Sequence, residues 1–330
     1  ERKDRPLMKL KTVFKILIIS SILLPAMIVG IVGSASYENF YGSMVSSETA
    51  SVAYSAAKSQ SILFDRYASE LAAMGRMSII QRAAGGDYNA IKDQVDELLL
   101  SRVNEDAALK DLIIMDGNGY SVAAVVPSSL AQTYKDFDKL TAIPDNSAYI
   151  SDISFDGSKY EGTSIFIYII KEITTATGSR GYIGAAVDMM PLCSSLSATS
   201  FFNNKGVIVF MDSLGNALNV NGSAMRNTDW SVPVDISLDA LASLGENNKY
   251  AVFNENGYYG AYGRVNDSGW MWIASYPASA ASFDAMIVLI IGLVVFAVFI
   301  VIDAVIAFNI YRRAITPILS LIHISEPTRP

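Results

Sequence analysis

Hydrophobic and polar positions follow three regimes along this chain. Residues 16–33 and 285–302 are apolar runs without a single charge. Each matches the roughly 20 apolar residues a helix needs to cross a hydrocarbon core. Transmembrane helices are therefore predicted over 16–35 and 285–308, with a large polar segment between them. Over 36–82 the apolar positions Val45, Val52, Ile62, Leu63, Tyr67, Leu71 and Met74 are spaced near a helical period, and no proline intervenes. One long helix is expected there, with Gly85-Gly86 as its stop. Tyr88, Ile91, Val95, Leu98 and Leu99 predict a second helix over about 88–104.

Beyond it the period changes to that of strands. Leu112–Met115 is a short apolar run that ends in Asp116-Gly117-Asn118-Gly119, a tight-turn signal, and Ser121–Val126 is expected to return as a second strand. A calcium loop at Asp116 and Asn118 is disfavoured, because its further acidic ligands are missing. The unit recurs: Ile113–Gly119 (IIMDGNG) is similar to Val209–Gly215 (VFMDSLG). Gly181–Val187 and Gly269–Ser275 each read as a closing strand. Strand candidates at 163–173 and 257–265 precede them. Repetition at this scale implies two copies of one α/β module, and closely spaced hairpins imply antiparallel sheets. Trp270 and Trp272 fall on one face of their strand at period 2 and are expected in the core.

Charge orients the chain. Arg2, Lys3, Arg5, Lys9, Lys11 and Lys15 precede the first apolar run, and Arg312 and Arg313 follow the second. Basic flanks stay in the cytoplasm, so both termini are expected on the cytoplasmic side of a cell membrane and the intervening segment outside. Net charge is −7 despite these basic flanks. An acidic external segment is not expected to bind nucleic acid. The single cysteine, Cys193, permits no intrachain disulfide and is expected to be a buried small residue.

Two readings concern the ends. A cleaved signal peptide competes for the first run through Ser34-Ala35-Ser36, but the run exceeds the usual apolar core of such peptides, so a retained anchor is favoured. Met8 reads as a start, with 1–7 upstream of it. Residues 319–330 (LSLIHISEPTRP) resemble the in-frame translation of a transposase-based sequencing adapter. His323, the only histidine, then carries no functional weight. With it go histidine triads and histidine metal sites. No phosphate-binding glycine loop is present, so this fragment is expected to be neither an enzyme nor a cofactor or metal protein.

The order "IIMDGNG", "AYISDISFDGSKYEGTSIFIYIIKEI", "GYIGAAVDM", "DSGWMWIASYP" resembles the double Cache sensor domain of bacterial transmembrane receptors, two PAS-like modules in tandem behind a long helix. The resemblance covers about 36–282, and 311–319 (YRRAITPIL) resembles the opening of a HAMP linker. It implies an α+β fold: a long N-terminal helix and two PAS-like modules with antiparallel sheets, flanked by the two spans. The distal module is expected at about 88–192 and the proximal module at about 200–282. The family implies a homodimer and a small-molecule pocket over the distal sheet, under loops at about 130–165. It also implies an output domain that could be a chemoreceptor coiled coil, a histidine kinase or a diguanylate cyclase. A membrane-anchored extracytoplasmic enzyme or adhesion module is the alternative.

Amino-acid-binding members carry an Arg-x-Trp-Tyr pattern and an Asp in the closing strand. Asp188 matches the second element. The first is replaced by Tyr134-Lys135-Asp136-Phe137-Asp138-Lys139, so a standard α-amino acid is not the expected ligand. No arginine lies between Arg102 and Arg180, which leaves Lys135, Lys139 and Lys159 as the nearby cations. Candidate ligand-binding residues are Asp188, Tyr149, Asp152, Tyr168 and Tyr160. Carboxylates suit an ammonium or hydroxyl, and tyrosines offer a hydroxyl and an aromatic face. For Asp188 the competing role is to start the helix after it. For Tyr149, Tyr160 and Tyr168 it is sheet packing.

Overall fold

The computed structural model describes residues 42–142, 147–156, 159–160, 165–198, 205–220, 223–229, 250–265 and 268–310. The first apolar run, Met8, the HAMP-like stretch and the adapter-like tail lie outside this set.

Helix α1 covers 42–75. The expected single helix to residue 82 is instead interrupted at Arg76-Met77, and Ser78–Arg82 forms a separate short α2. A wide turn, Ala83–Asp87, then contains Gly86 at φ +104° before α3, Tyr88–Glu105. The break lets the chain reverse so that α1 and α3 both face one sheet.

Five strands form that first sheet: β1 (Leu109–Met115), β2 (Ser121–Ala124), β3 (Ala148–Ile150), β4 (Phe166–Thr174) and β5 (Arg180–Asp188). Their order is β2-β1-β5-β4-β3, and every pairing is antiparallel. A short helix, α4 (Phe137–Thr141), lies between β2 and β3. After β5 comes α5 (Met190–Ala198), then β6 (Val207–Met211), β7 (Ala217–Val220), β8 (Ser223–Met225), β9 (Tyr250–Glu255), β10 (Tyr258–Val265) and β11 (Trp270–Pro277). The second sheet runs β8-β7-β6-β11-β10-β9, which repeats the first order with β8 added.

The repeated motif folds alike in both sheets. Asp116 Oδ1 accepts the N–H groups of Asn118 (2.8 Å) and Tyr120 (2.9 Å). Asp212 Oδ1 accepts those of Leu214 (2.9 Å) and Asn216 (2.8 Å). Each turn closes through a glycine N–H onto the aspartate carbonyl, from Gly119 and Gly215, at 3.1 Å in both. Those glycines sit at φ +72° and +84°, where a side chain would strain the backbone.

Alternation along the strands divides the apolar residues between two faces. Leu112, Ile114, Ile167, Ile169, Ile183 and Val187 turn to the helices and join one continuous core. This core extends through Phe64, Ala57 and Ala53 of α1 to Trp270, Trp272, Phe210 and Ala274 of the second sheet. Trp270 and Trp272 are buried as expected, and Cys193 is fully buried. The opposite face of the first sheet carries Ile113, Met115, Tyr168, Ile170 and Tyr182 under Tyr134, Phe137 and Leu140.

Residues Val45–Pro277 form one compact unit, and Ala278 onward belongs to another. The last helix, α6, is Ala278–Ile310, 33 residues long. Its exposed side chains include Ile290, Ile291, Val294, Val298, Phe299, Val301 and Phe308. Ten of its side chains fall outside the described set. Counted over the described residues alone, no helix is long and apolar enough to cross a membrane.

Candidate functional site

The candidate site lies on the face of the first sheet turned away from the helices. Tyr168 projects from β4 at an even strand position beside Phe166 and Ile170, whereas Ile167 and Ile169 go to the core. Rings gather around it. Tyr134 meets Tyr168 edge-on at 5.6 Å and Tyr149 at 6.2 Å. Phe166 meets Tyr168 at 5.4 Å and Tyr160 at 4.7 Å. Edge-to-face packing of this kind fixes ring orientation and so aims the hydroxyls.

A relay of hydrogen bonds threads through these rings. Lys159 Nζ donates to the Tyr168 hydroxyl at 2.6 Å. That hydroxyl lies 3.0 Å from the Tyr160 hydroxyl, which donates to Asp111 Oδ2 at 3.4 Å. Asp111 Oδ1 accepts the N–H groups of Val125 (3.0 Å) and Val126 (3.1 Å). Ser129 Oγ lies 3.4 Å from the Tyr160 hydroxyl. An ammonium thus stands at one end of the relay and a buried carboxylate at the other.

Burial pushes the Asp111 carboxyl above its ordinary range, against the opposing pull of Ser129 and the two backbone donors. Burial likewise raises the Tyr160 and Tyr134 phenols, with neighbouring tyrosines and carboxylates adding to it. These phenols are neutral donors and acceptors at neutral pH, not bases. The Tyr149 hydroxyl faces that of Tyr134 and the Tyr182 hydroxyl faces Arg180, each short of good hydrogen-bond geometry. A polar ligand atom would give either a better partner.

The five sequence candidates separate into two groups. Tyr160, Tyr168 and Tyr149 come together on this face. Asp188 sits at the end of β5, where its Oδ1 accepts the Met190 N–H at 2.9 Å and opens α5; Lys110 Nζ lies 3.6 Å from its other oxygen. Asp152 meets the second sheet instead. Its Oδ1 accepts the hydroxyl (2.5 Å) and N–H (3.1 Å) of Ser213, and Lys139 Nζ donates to its Oδ2 at 3.1 Å. Asp111, Ser129 and Tyr134 join the site without having been candidates. An aspartate inside the apolar strand LKDLIIM was the available signal, since burying a charge there requires dedicated partners.

No metal-binding group of three or more His, Cys, Asp or Glu residues occurs among the described residues. No protein-family model matches this chain, and no curated protein matches it. Solved structures do. The sensory domain of the Campylobacter jejuni chemoreceptor Tlp3 (CcmL) aligns with a TM-score of 0.50 at 13% identity, over 75% of this chain and 99% of that one. An extracellular domain assigned to a histidine kinase, vpHK1S-Z8, aligns with a TM-score of 0.50 at 11% identity, over 73% of this chain and 98% of that one. At such identities the likeness is one of fold: this chain shares the architecture of these two domains.

Proposed function

We propose that this chain is the sensor portion of a two-span bacterial membrane receptor. In this reading it binds a small molecule on the aromatic face of the first sheet, the membrane-distal module. The relay Lys159–Tyr168–Tyr160–Asp111 carries the proposal. It presents an ammonium to a carboxylate or hydroxyl of the ligand, and the surrounding rings offer apolar walls. The fold shared with sensory domains supports this reading.

The membrane topology rests on charge and apolar pattern. An exposed apolar helix of 33 residues such as α6 is poorly solvated by water. Basic flanks place both termini in the cytoplasm. Ligand binding would favour one of two packings of the external unit and pass to α6 as a small helix displacement, of the order of 1–2 Å. The HAMP-like residues after α6 would relay it to a chemoreceptor, kinase or cyclase output.

A thermal-shift screen with organic acids, amines, α-amino acids and nucleobases tests the site. At least one compound is expected to raise the melting temperature of the wild type and not that of Tyr168→Phe. A shift that survives both Tyr168→Phe and Lys159→Met would place the ligand elsewhere.

A further inference from the structure

The helix-side face of the first sheet holds a cavity of about 340 Å³, between α1, α3 and strands β1 and β5. It lies on the other side of the sheet from the tyrosine relay. Its floor is apolar: Leu71, Met74, Met77, Leu109, Leu112 and Ala185. Leu71, Leu112 and Ala185 are each no more than 2% exposed. The space exists because Ala185, opposite Leu112 in the β1–β5 register, stops at Cβ, and because α1 ends at the Arg76-Met77 break. The two flexible methionines can adapt to an apolar guest on this floor.

Its rim is polar and mainly acidic. Glu70, Glu105 and Asp106 face it, with Arg102 the one lining cation. Arg102 lies 2.8 Å from Glu105, and Asp106 is held by Arg66 and the Tyr67 hydroxyl, each at 2.9 Å. Burial and the Asp106 carboxylate push the Tyr67 phenol up to about 12, so it remains a neutral donor. Arg66 also lies 3.9 Å from Glu70, so three carboxylates face two guanidiniums, a net negative rim that favours a cationic head over an anionic one.

The geometry points to a second binding site here, for a small primary amine with an apolar body: the body enters between Met74 and Met77, and the ammonium stays at the Glu70–Glu105 rim. This site is independent of the one proposed on the tyrosine face.

The test uses the full chain in amphipol with methionine methyls labelled with carbon-13. Benzylamine is the probe, with benzyl alcohol and benzoate as comparators of the same body. Benzylamine is expected to shift the Met74 and Met77 methyl signals saturably, and more tightly than either comparator. Ala73→Phe plugs the mouth from an exposed helix position and should abolish the shift. Glu70→Gln, on the solvent side, should weaken it without disturbing the fold, and Tyr168→Phe should leave it unchanged. The assignment fails if no saturable shift appears, if Ala73→Phe or Glu70→Gln leaves it intact, or if benzoate or benzyl alcohol binds as well as the amine.

Discussion

The carboxylate of Asp152 accepts both the hydroxyl (2.5 Å) and the backbone N–H (3.1 Å) of Ser213, across 61 residues of sequence. The same three-residue segment makes two more bonds to the second sheet. Ile153 N–H donates to Asp212 Oδ2 at 2.8 Å, and Trp270 Nε1 donates to the Ser151 carbonyl at 3.2 Å. On its other side Ser151 Oγ accepts the N–H of Tyr168 at 2.8 Å. A site tyrosine is therefore one residue contact away from the junction between the sheets. Replacing Asp152 by alanine removes its bonds to Ser213 and Lys139, whose exposed donors turn to water instead. A loss of about 0.5–1.5 kcal/mol in stability is expected, read as a lower urea midpoint. An unchanged midpoint would show that the junction does not depend on this carboxylate.

Asp111 makes stability depend on pH. Its folded-state value lies above the ordinary carboxylate range because burial disfavours the charge. A raised carboxyl stabilises the fold fully below the unfolded value, and that contribution is lost as pH rises through the folded value. Asp111→Asn retains the oxygen that takes the Val125 and Val126 N–H groups and has no charge to bury. The difference in melting temperature, variant minus wild type, should be flat in acid and grow in the variant's favour through the weakly acidic range. A difference that stays flat from acid to neutral pH would contradict this.

Tyr168→Phe removes the hydroxyl between Lys159 and Tyr160 but keeps the ring that packs on Phe166 and Tyr134. Stability should fall by only about 0.5–1.5 kcal/mol in chemical denaturation. Binding at the tyrosine face should be lost in calorimetry. Retained binding would show that the hydroxyl takes no part in recognition.

The two equivalent turn glycines should respond unequally to alanine. Both sit at positive φ, where a side chain costs roughly 1–2 kcal/mol. A Cβ on Gly119 would also come within 2.2 Å of the Phe137 ring, itself packed edge-on against Tyr182, whereas on Gly215 it would meet Asn227 Cβ at 3.3 Å. Gly119→Ala is therefore expected to be the more damaging by about 1–3 kcal/mol in urea unfolding. Equal costs would mean that Phe137 moves freely.

Helix α3, strands β1, β2, β4, β5, β6, β10 and β11 and the Met-Asp-x-x-Gly repeat were legible in the sequence because each is a local pattern, whereas β3, β7, β8 and β9 were not read from it. Apolar period, turn glycines and an aspartate that bonds its own following N–H groups act within a few residues. The break in α1 at Arg76-Met77 was not legible, since no proline or glycine pair marks it and its function is to bring α3 back onto the sheet. Asp111 and Asp152 illustrate the same division. One reads locally as an interruption of an apolar strand and the other as a solvated loop residue. Strand pairing put Asp111 beneath Tyr160, and the approach of the two sheets put Asp152 on Ser213. The sequence by itself determined α3, seven of the eleven strands, their antiparallel repetition and the apolar runs that flank them. Only the tertiary structure decided which tyrosines share a face with a buried carboxylate, and which carboxylates hold the architecture together. Such roles depend on partners dozens of residues away, and no local spacing encodes those distances.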